Sequence, residues 1–193
     1  MTLRTCIAMV LILCAAGCVP SLHPLYTPQT IVYDPGIAGI WLQDDARWEF
    51  VGNPGERSYR LTITEKEDKV SRLYARLVAV NGQRFFDFYP ADDAELEGGD
   101  WIKAHLVPVH LFFKVEKSGG NLNISAMNPD VIDKLLAQRP GLVKHERVED
   151  DRVVLTDTPE NLQKFLLEGL KTDGFFGKAV ELTPAEKVVP VAP

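Results

Sequence analysis

One asparagine–glycine pair constrains the fold of this chain more than any other short segment. Asn81 and Gly82 separate two stretches rich in apolar and aromatic residues, and this dipeptide is the preferred centre of a two-residue type I′ hairpin turn. Such a turn fixes how the flanking strands pair, because a slip of one residue would move every side chain to the opposite face. The predicted cross-strand pairs are Val80–Gln83, Val78–Phe85, Arg76–Asp87 and Tyr74–Tyr89.

This register gives the hairpin one strongly apolar face, which we predict to lie in the core. It also places opposite charges across from each other at one position and two aromatic rings at another. Pairs of this kind stabilise a register by about 0.2–1 kcal/mol each. The predicted core residues are Leu73, Ala75, Leu77, Phe86 and Phe88.

Further hairpins and two helices are predicted along the rest of the chain. Residues 58–64 alternate between apolar and polar side chains, as a half-buried strand does. Asn128 is a good N-cap residue for one helix, and Thr158, followed by proline, is predicted to cap a second. About eight or nine short strands and two late helices predict a mainly β, α+β fold, either an antiparallel barrel or a strongly curved meander sheet, with two helices in the C-terminal half.

The first 17 residues have the layout of a secretory signal peptide. Arg4 precedes an uncharged apolar run over residues 6–16, which is shorter than the about 20 residues that a membrane-spanning helix needs. The cysteines of the chain, Cys6, Cys14 and Cys18, all lie in or beside this segment. Removal of residues 1–17 would leave no pair of thiols for a disulfide, so the core must hold the domain together.

The segment Ala15-Ala16-Gly17-Cys18 resembles the lipobox of bacterial lipoproteins, although Ala15 stands where that family usually has leucine. The resemblance implies that a diacylglyceryl group joins the Cys18 thiol and that the signal is cut between Gly17 and Cys18. Ordinary cleavage near Ala16, which would leave a free thiol, is the alternative. Val19 stands where families with a sorting rule use aspartate to retain lipoproteins in the inner membrane, so the resemblance implies the outer membrane, facing the periplasm.

The rest of the chain divides into a tether, one domain and a tail. Residues 18–35 contain four prolines with apolar residues between them. We interpret them as a strap that partly packs on the domain, with a fully flexible linker as the alternative. Residues 36–182 are predicted to form a single β-rich domain and residues 183–193 a disordered tail. The formal charge of −6 disfavours nucleic acid as a partner, so membrane attachment would come from the lipid.

No motif of a known catalytic or cofactor site is present. The chain contains no GxSxG, HExxH, Walker or GxGxxG sequence, and we therefore predict a protein that is not an enzyme and uses no cofactor. An acidic loop carries Asp93, Glu95, Glu97 and Gly98 at the spacing of the first half of an EF-hand. Ala104 stands where that loop needs a bidentate glutamate, so a solvated loop is favoured over a calcium site.

Two histidines beside the acidic loop are the first candidates for a polar site. His105 and His110 are five residues apart, and an odd spacing places side chains on opposite faces of a strand. A shared metal ion would therefore require a bend at the intervening proline. The favoured interpretation is that these are structural histidines bonded to the backbone.

The tripeptide Gly39-Ile40-Trp41 resembles the Gly-x-Trp sequence that opens lipocalin-type barrels. This resemblance implies a carrier whose aromatic residues line a ligand cavity, although such residues more often fill a small barrel. The aromatic residues concerned are Trp41, Trp48, Phe50, Phe86, Phe88, Phe112 and Phe113.

A longer part of the chain, residues 18–115, is similar to predicted bacterial lipoproteins with no assigned activity. We therefore predict a membrane-anchored lipoprotein with a non-enzymatic binding or structural role in the cell envelope. Its predicted partners are the lipid bilayer, through acylated Cys18, and an envelope protein. A lipocalin-like carrier of a small apolar ligand is the alternative.

Overall fold

A computed structural model of the protein describes residues 18–94, 99–148 and 152–185. Their strands are β1 (Pro20–Ser21), β2 (Ile31–Val32), β3 (Gly39–Gln43), β4 (Ala46–Asn53), β5 (Ser58–Thr64), β6 (Val70–Val80), β7 (Gln83–Pro90), β8 (His110–Ser118), β9 (Asn121–Ala126), β10 (His145–Val148), β11 (Arg152–Leu155) and β12 (Val180–Pro184). Their α-helices are α1 (Asp100–Lys103), α2 (Pro129–Gln138) and α3 (Pro159–Gly169), and short 3-10 helices cover Pro35–Ile37, Lys66–Asp68 and Pro140–Leu142. Within these ranges no helix combines the length and the apolar character that crossing a membrane requires.

Eight strands form a closed antiparallel barrel. Strands β3 to β9 pair in chain order, and β12 closes the ring by pairing with both β9 and β3. Every neighbouring pair in this ring is antiparallel. The predicted antiparallel barrel with two helices in the C-terminal half is therefore confirmed.

The hairpin of β6 and β7 has the predicted register. All four predicted pairs are observed, from Val80–Gln83 at the turn to Tyr74–Tyr89 farther along the strands. Asn81 and Gly82 have φ angles of 48° and 77°, as a type I′ turn requires at both central positions. A local turn preference thus determines the pairing of the longest strand in the barrel.

The predicted core face of this hairpin lies inside the barrel. Leu77 and Phe86 are completely buried, and Leu73 is packed against the same cluster but only partly buried. The Phe86 ring stacks on Phe88 at a centroid distance of 5.2 Å, and Phe88 lies 4.8 Å from Phe113. The interior of the barrel is therefore filled by aromatic and aliphatic side chains.

A second core lies on the outside of the barrel wall. Val78 and Phe85, on the opposite face of the hairpin, are also completely buried, because α2, α3 and the N-terminal segment pack over them. Phe112 belongs to this outer core, whereas Phe113 pairs with Phe86 across β7 and β8 and faces the interior. Alternation along a strand reveals two faces, but it does not show that both are covered.

The proline-rich segment lies against the barrel as a strap. Strand β1 pairs with β8 and β11, and β2 pairs with β6. Leu25 is completely buried, and Ile31 is only 6% exposed. Ile37, the last residue of the 3-10 helix Pro35–Ile37, packs in the barrel interior. Within the described residues, this segment is therefore packed against the barrel and is not a flexible linker.

The two long helices begin at the predicted residues, but only one begins with the predicted cap. The Asn128 side chain accepts a hydrogen bond from the Asp130 N–H at 3.1 Å, as an N-cap does. Thr158 occupies the N-cap position of α3 without a side-chain capping bond. Instead, Asp157 accepts hydrogen bonds from the Thr158 N–H, the Asn161 side chain and the Lys144 N–H. Asp157 thus joins the start of α3 to the chain at Lys144, whereas the predicted threonine cap is not formed.

The barrel continues slightly beyond the predicted end of the domain. Thr183 and Pro184 pair with Leu42 and Trp41 in β3, although residues 183–193 were predicted to be a disordered tail. The described chain ends at residue 185, so the remainder of that prediction lies outside the described residues.

Candidate functional site

The structure separates the two histidines that were considered together. His110 is the first residue of β8 and is only 9% exposed, whereas His105 lies in the connection after α1 and is exposed. The part of the chain that the structure describes contains no group of three or more histidine, cysteine or acidic side chains arranged to hold a metal ion. The candidate polar site is therefore built around His110 alone.

The partner of His110 is a buried carboxylate on the neighbouring strand. His110 Nδ1 lies 2.7 Å from Asp87 Oδ1, and Asp87 is 2% exposed. Asp87 pairs with Phe112 of the outer core, and His110 lies two residues before Phe112 on β8. Asp87 and His110 therefore both project from the outer face of the wall formed by β7 and β8. The Tyr89 ring lies 4.4 Å from the His110 ring and covers it from one side.

The second oxygen of Asp87 holds the strap. Asp87 Oδ2 accepts a hydrogen bond from the Leu25 backbone N–H at 2.7 Å. In β1, Ser21 pairs directly with His110, so the strap contacts both members of the pair. This arrangement ties the N-terminal segment to the barrel wall through one buried carboxylate.

Burial governs the electrostatics of this pair. Removal from water raises the pKa of the Asp87 carboxyl above its ordinary value, while the hydrogen bonds from His110 and from the Leu25 N–H oppose this rise. Arg76 lies opposite Asp87 in the predicted register, but its guanidinium faces the Tyr26 ring at 4.8 Å and donates to the Glu56 carbonyl. Asp87 therefore bonds to the buried His110, although Arg76 lies opposite it in the register.

An aspartate bonded to Nδ1 of a histidine can orient the ring for acid–base chemistry. Such chemistry needs a reacting group near the other ring nitrogen. The hydroxyl of Ser21, which pairs with His110 in the sheet, is completely buried and donates to the His23 carbonyl at 2.7 Å. Within the described residues, Asp87 is bonded to the strap at Leu25 and to His110 in the wall, and the Ser21 hydroxyl is bonded within the strap.

The barrel interior is the second candidate site. Trp41 of the Gly-x-Trp sequence donates its indole N–H to the Ile37 carbonyl at 2.8 Å, which fixes the 3-10 helix across one end of the barrel. Farther inside, Phe50 stacks on Phe86 at 5.6 Å. Trp48 Nε1 is buried and has no hydrogen-bond partner within the described residues. An aromatic filling therefore occupies the space in which a carrier would hold its ligand.

Two open depressions lie on the outside of the protein. One, of about 460 Å³, adjoins the start of α3 and is lined by polar groups that include Lys144, His145 and Asp157. The other, of about 380 Å³, lies beside the turn between β4 and β5 and includes Val51, Arg60 and Tyr74 in its lining. Neither is lined by the aromatic side chains of the barrel interior.

The remaining predicted site residues lie at the edges of the described chain. Cys18 is the first described residue; it is partly exposed, and burial raises the pKa of its thiol. Gly17 and the predicted signal peptide lie outside the described residues, as do Glu95, Glu97 and Gly98 of the acidic loop. Asp93 of that loop forms an ion pair with Arg60 on the barrel wall.

Comparison of the chain with models of protein families, with curated proteins and with solved structures finds no match. The function must therefore be inferred from the chain itself.

Proposed function

We propose that the protein is a lipid-anchored bacterial lipoprotein whose barrel has a non-enzymatic binding or structural role in the cell envelope. The observation that carries this proposal is the Ala-Ala-Gly-Cys sequence ending at Cys18, directly before the strap. The chain contains no cysteine after Cys18, so this thiol has no disulfide partner in the domain. A partly exposed thiol at the head of a packed strap suits covalent attachment of lipid.

The strap determines what such an anchor would do. Val19, the residue after Cys18, is 3% exposed and belongs to the outer core. Pro20 then pairs with Leu111 in the barrel wall. No flexible spacer therefore separates Cys18 from the folded domain. An acylated Cys18 would hold the barrel directly against the membrane, and we infer an outer-membrane location facing the periplasm from the lipobox resemblance.

The bonding of the polar site supports a role other than catalysis. One oxygen of Asp87 accepts a hydrogen bond from the Leu25 N–H of the strap, and the other is bonded to His110 in the barrel wall. A binding role then falls to the outer surface, where a protein of the envelope is the proposed partner. The two outer depressions are the places at which such a partner would first be sought.

The anchor is tested by comparing Cys18→Ser with Cys14→Ser in cells. Both changes replace a thiol by a hydroxyl, but only Cys18 is the proposed attachment point. The wild type and Cys14→Ser should partition into detergent, and mass spectrometry should find acyl chains on their N-terminal peptide. Cys18→Ser should accumulate uncut or be released as a soluble domain. A wild-type protein with an unmodified Cys18 in the aqueous phase would refute the proposal.

A lipocalin-like carrier is the second candidate, and the closed eight-stranded antiparallel barrel favours it. The Gly39-Ile40-Trp41 sequence at the first strand of this barrel also matches the Gly-x-Trp of that family. The filled interior argues against it, since a ligand of ordinary size needs a cavity of at least about 300 Å³. Titration with a fluorescent fatty acid distinguishes the two: saturable binding that quenches the interior tryptophans would favour the carrier.

A further inference from the structure

Four exposed apolar side chains belong to one end of the barrel. Trp101 is 86% exposed, Val107 69%, Leu106 49% and Leu22 45%. These four residues form the apolar rim. Single exposed apolar residues are ordinary on protein surfaces, but here three of them, including an almost fully exposed indole, fall within seven residues of one connection.

The strand topology places the rim at a single end. Strand β7 ends at Pro90 and β8 begins at His110, so the connection that carries Trp101, Leu106 and Val107 leaves and re-enters the barrel at the same end. Strand β1 is antiparallel to β8, and Ser21 pairs with His110. The chain after Ser21 and the chain before His110 therefore leave the sheet in the same direction, which brings Leu22 to this end as well.

The opposite end of the barrel is closed by the strap. There Tyr33 stacks on Tyr59 at 5.1 Å, and Asp34 bonds to Arg84 and Lys117. The two ends thus differ in kind: one is sealed by aromatic stacking and ion pairs, and the other presents the rim.

We propose that the apolar rim lies in the interfacial layer of the phospholipid bilayer that holds the anchor. This inference rests on the proposed lipidation of Cys18. Leu22 follows Cys18 by four residues, so their Cα atoms are at most about 14 Å apart even in a fully extended chain. The pairs Pro20–Leu111 and Ser21–His110 show that the chain before Ser21 runs along the wall away from the rim, so acyl chains on Cys18 need to span no more than this distance to bring the rim to the membrane surface.

The chemistry of the rim suits the interface between lipid and water. Tryptophan favours this layer because its ring is apolar and its N–H can remain hydrogen-bonded. Lys103 lies two residues after Trp101 and is exposed, so it can reach lipid phosphate groups while its methylene chain stays in apolar surroundings.

Attraction to anionic lipid is not the basis of this contact. The chain has a formal charge of −6, and Asp92 and Asp93 lie in the same connection. Both of these carboxylates are bonded to the barrel wall, Asp92 to Tyr74 and Asp93 to Arg60. The partner surface is accordingly a zwitterionic phospholipid interface that is entered by apolar side chains.

Quenching of tryptophan fluorescence tests the proposal. Protein purified from membranes is reconstituted into phosphatidylcholine vesicles that contain a lipid brominated near the headgroup. Trp41 is 6% exposed inside the barrel and Trp48 is half-buried, so Trp101 should supply most of the quenchable emission. Brominated lipid should quench the wild type at least about twofold more than Trp101→Phe. Equal quenching of the two proteins would overturn the proposal.

A matched pair of substitutions checks the surface itself. Val107→Asp places a charge in the rim, and Val148→Asp places one at a 47% exposed valine on β10. Val107→Asp should reduce the quenching of Trp101 to the level of Trp101→Phe, and Val148→Asp should leave it unchanged. If both reduce it equally, the rim is not the contact surface.

Mass spectrometry of the N-terminal peptide separates the two proposals. An unmodified Cys18 would refute the anchor, whereas the quenching of Trp101 in the same vesicles reports on the rim in either case. An acylated protein with unquenched Trp101 would preserve the anchor and refute the rim.

Discussion

Removal of a single hydroxyl group should measure how firmly the strap closes the barrel. The Tyr59 side chain is completely buried, and its hydroxyl donates to the Asp34 carbonyl at 2.9 Å while accepting from the Asp34 N–H at 2.8 Å. Tyr59→Phe retains the ring, which packs between Tyr33 at 5.1 Å and Phe50 at 6.1 Å. The substitution therefore removes both hydrogen bonds with almost no change in packing.

The expected loss follows from the two bonds. Each ordinary hydrogen bond contributes about 0.5–1.5 kcal/mol to stability, and the loss is larger when the remaining partner is left buried. Asp34 is only partly buried, so water can satisfy part of what the hydroxyl leaves. We expect Tyr59→Phe to lower the free energy of unfolding by about 1–2 kcal/mol.

Urea denaturation followed by the fluorescence of Trp41 and Trp48 measures this change, since both rings lie in the barrel cluster. Tyr26→Phe is the control, because the Tyr26 ring faces Arg76 and its hydroxyl has no hydrogen-bond partner within the described residues. The control should cost less than about 0.5 kcal/mol. Equal losses in the two variants, or no loss in Tyr59→Phe, would show that the hydroxyl does not secure the strap.

The same residue makes a prediction at high pH. Burial raises the pKa of Tyr59 from its ordinary value of 10.0 to about 12. The folded protein therefore keeps the Tyr59 proton at pH values at which the unfolded chain has lost it. The contribution of Tyr59 to stability is complete below pH 10 and is lost as the pH rises toward 12. Ultraviolet titration should show one phenol that ionises near pH 12 in the wild type and is missing from Tyr59→Phe.

Three further changes test the cores and the closed end. Leu77→Ala should lower the free energy of unfolding by about 2–5 kcal/mol, whereas Arg76→Ala on the outer face should cost less than about 1 kcal/mol, both measured by urea denaturation. Gly169→Ala should destabilise the fold by about 1–3 kcal/mol, because an added Cβ would lie 2.4 Å from the buried Phe175 ring. Gly141→Ala, where the added Cβ would meet open space, is the control, and thermal melting measures both variants. Burial acts to raise the pKa of Asp34, but hydrogen bonds from Lys117, Arg84 and the Gly36 N–H outweigh it and lower the pKa. The free energy of unfolding should therefore fall as the pH drops below about 4. In Asp34→Asn this decrease should be smaller.

The sequence predicted the parts of the fold that depend on local preferences. The hairpin around Asn81 and Gly82 and the start of α2 at Asn128 are both determined by residues within a few positions of one another. The closure of the barrel has no such local signal. It depends on β12, which pairs with Leu42 across 141 positions in the chain, and alternation in five residues cannot identify so distant a partner.

The sequence predicted only one of the two residues of the candidate site, for a related reason. His110 was identified as a candidate, but His105 was considered as its companion because the two are close in sequence. The true partner, Asp87, was predicted to pair with Arg76 on the face opposite the predicted core. The structure buries that surface under the strap, and burial favours a hydrogen-bonded histidine over an exposed ion pair for the carboxylate. What covers a sheet face therefore decides the chemistry of the residues on it.

The same covering limits where the protein can act. The strap enters the outer core at Val19, bonds to Asp87 through Leu25 and reaches the barrel interior at Ile37. Release of the strap would thus expose apolar surface on the outer wall and open one end of the barrel. The contacts that stabilise the fold therefore also hold Cys18 close to the barrel. If Cys18 is acylated as proposed, the domain cannot move away from the membrane as a tethered domain would. Any partner must then bind within a few nanometres of the bilayer, on the faces that the strap and the rim leave free.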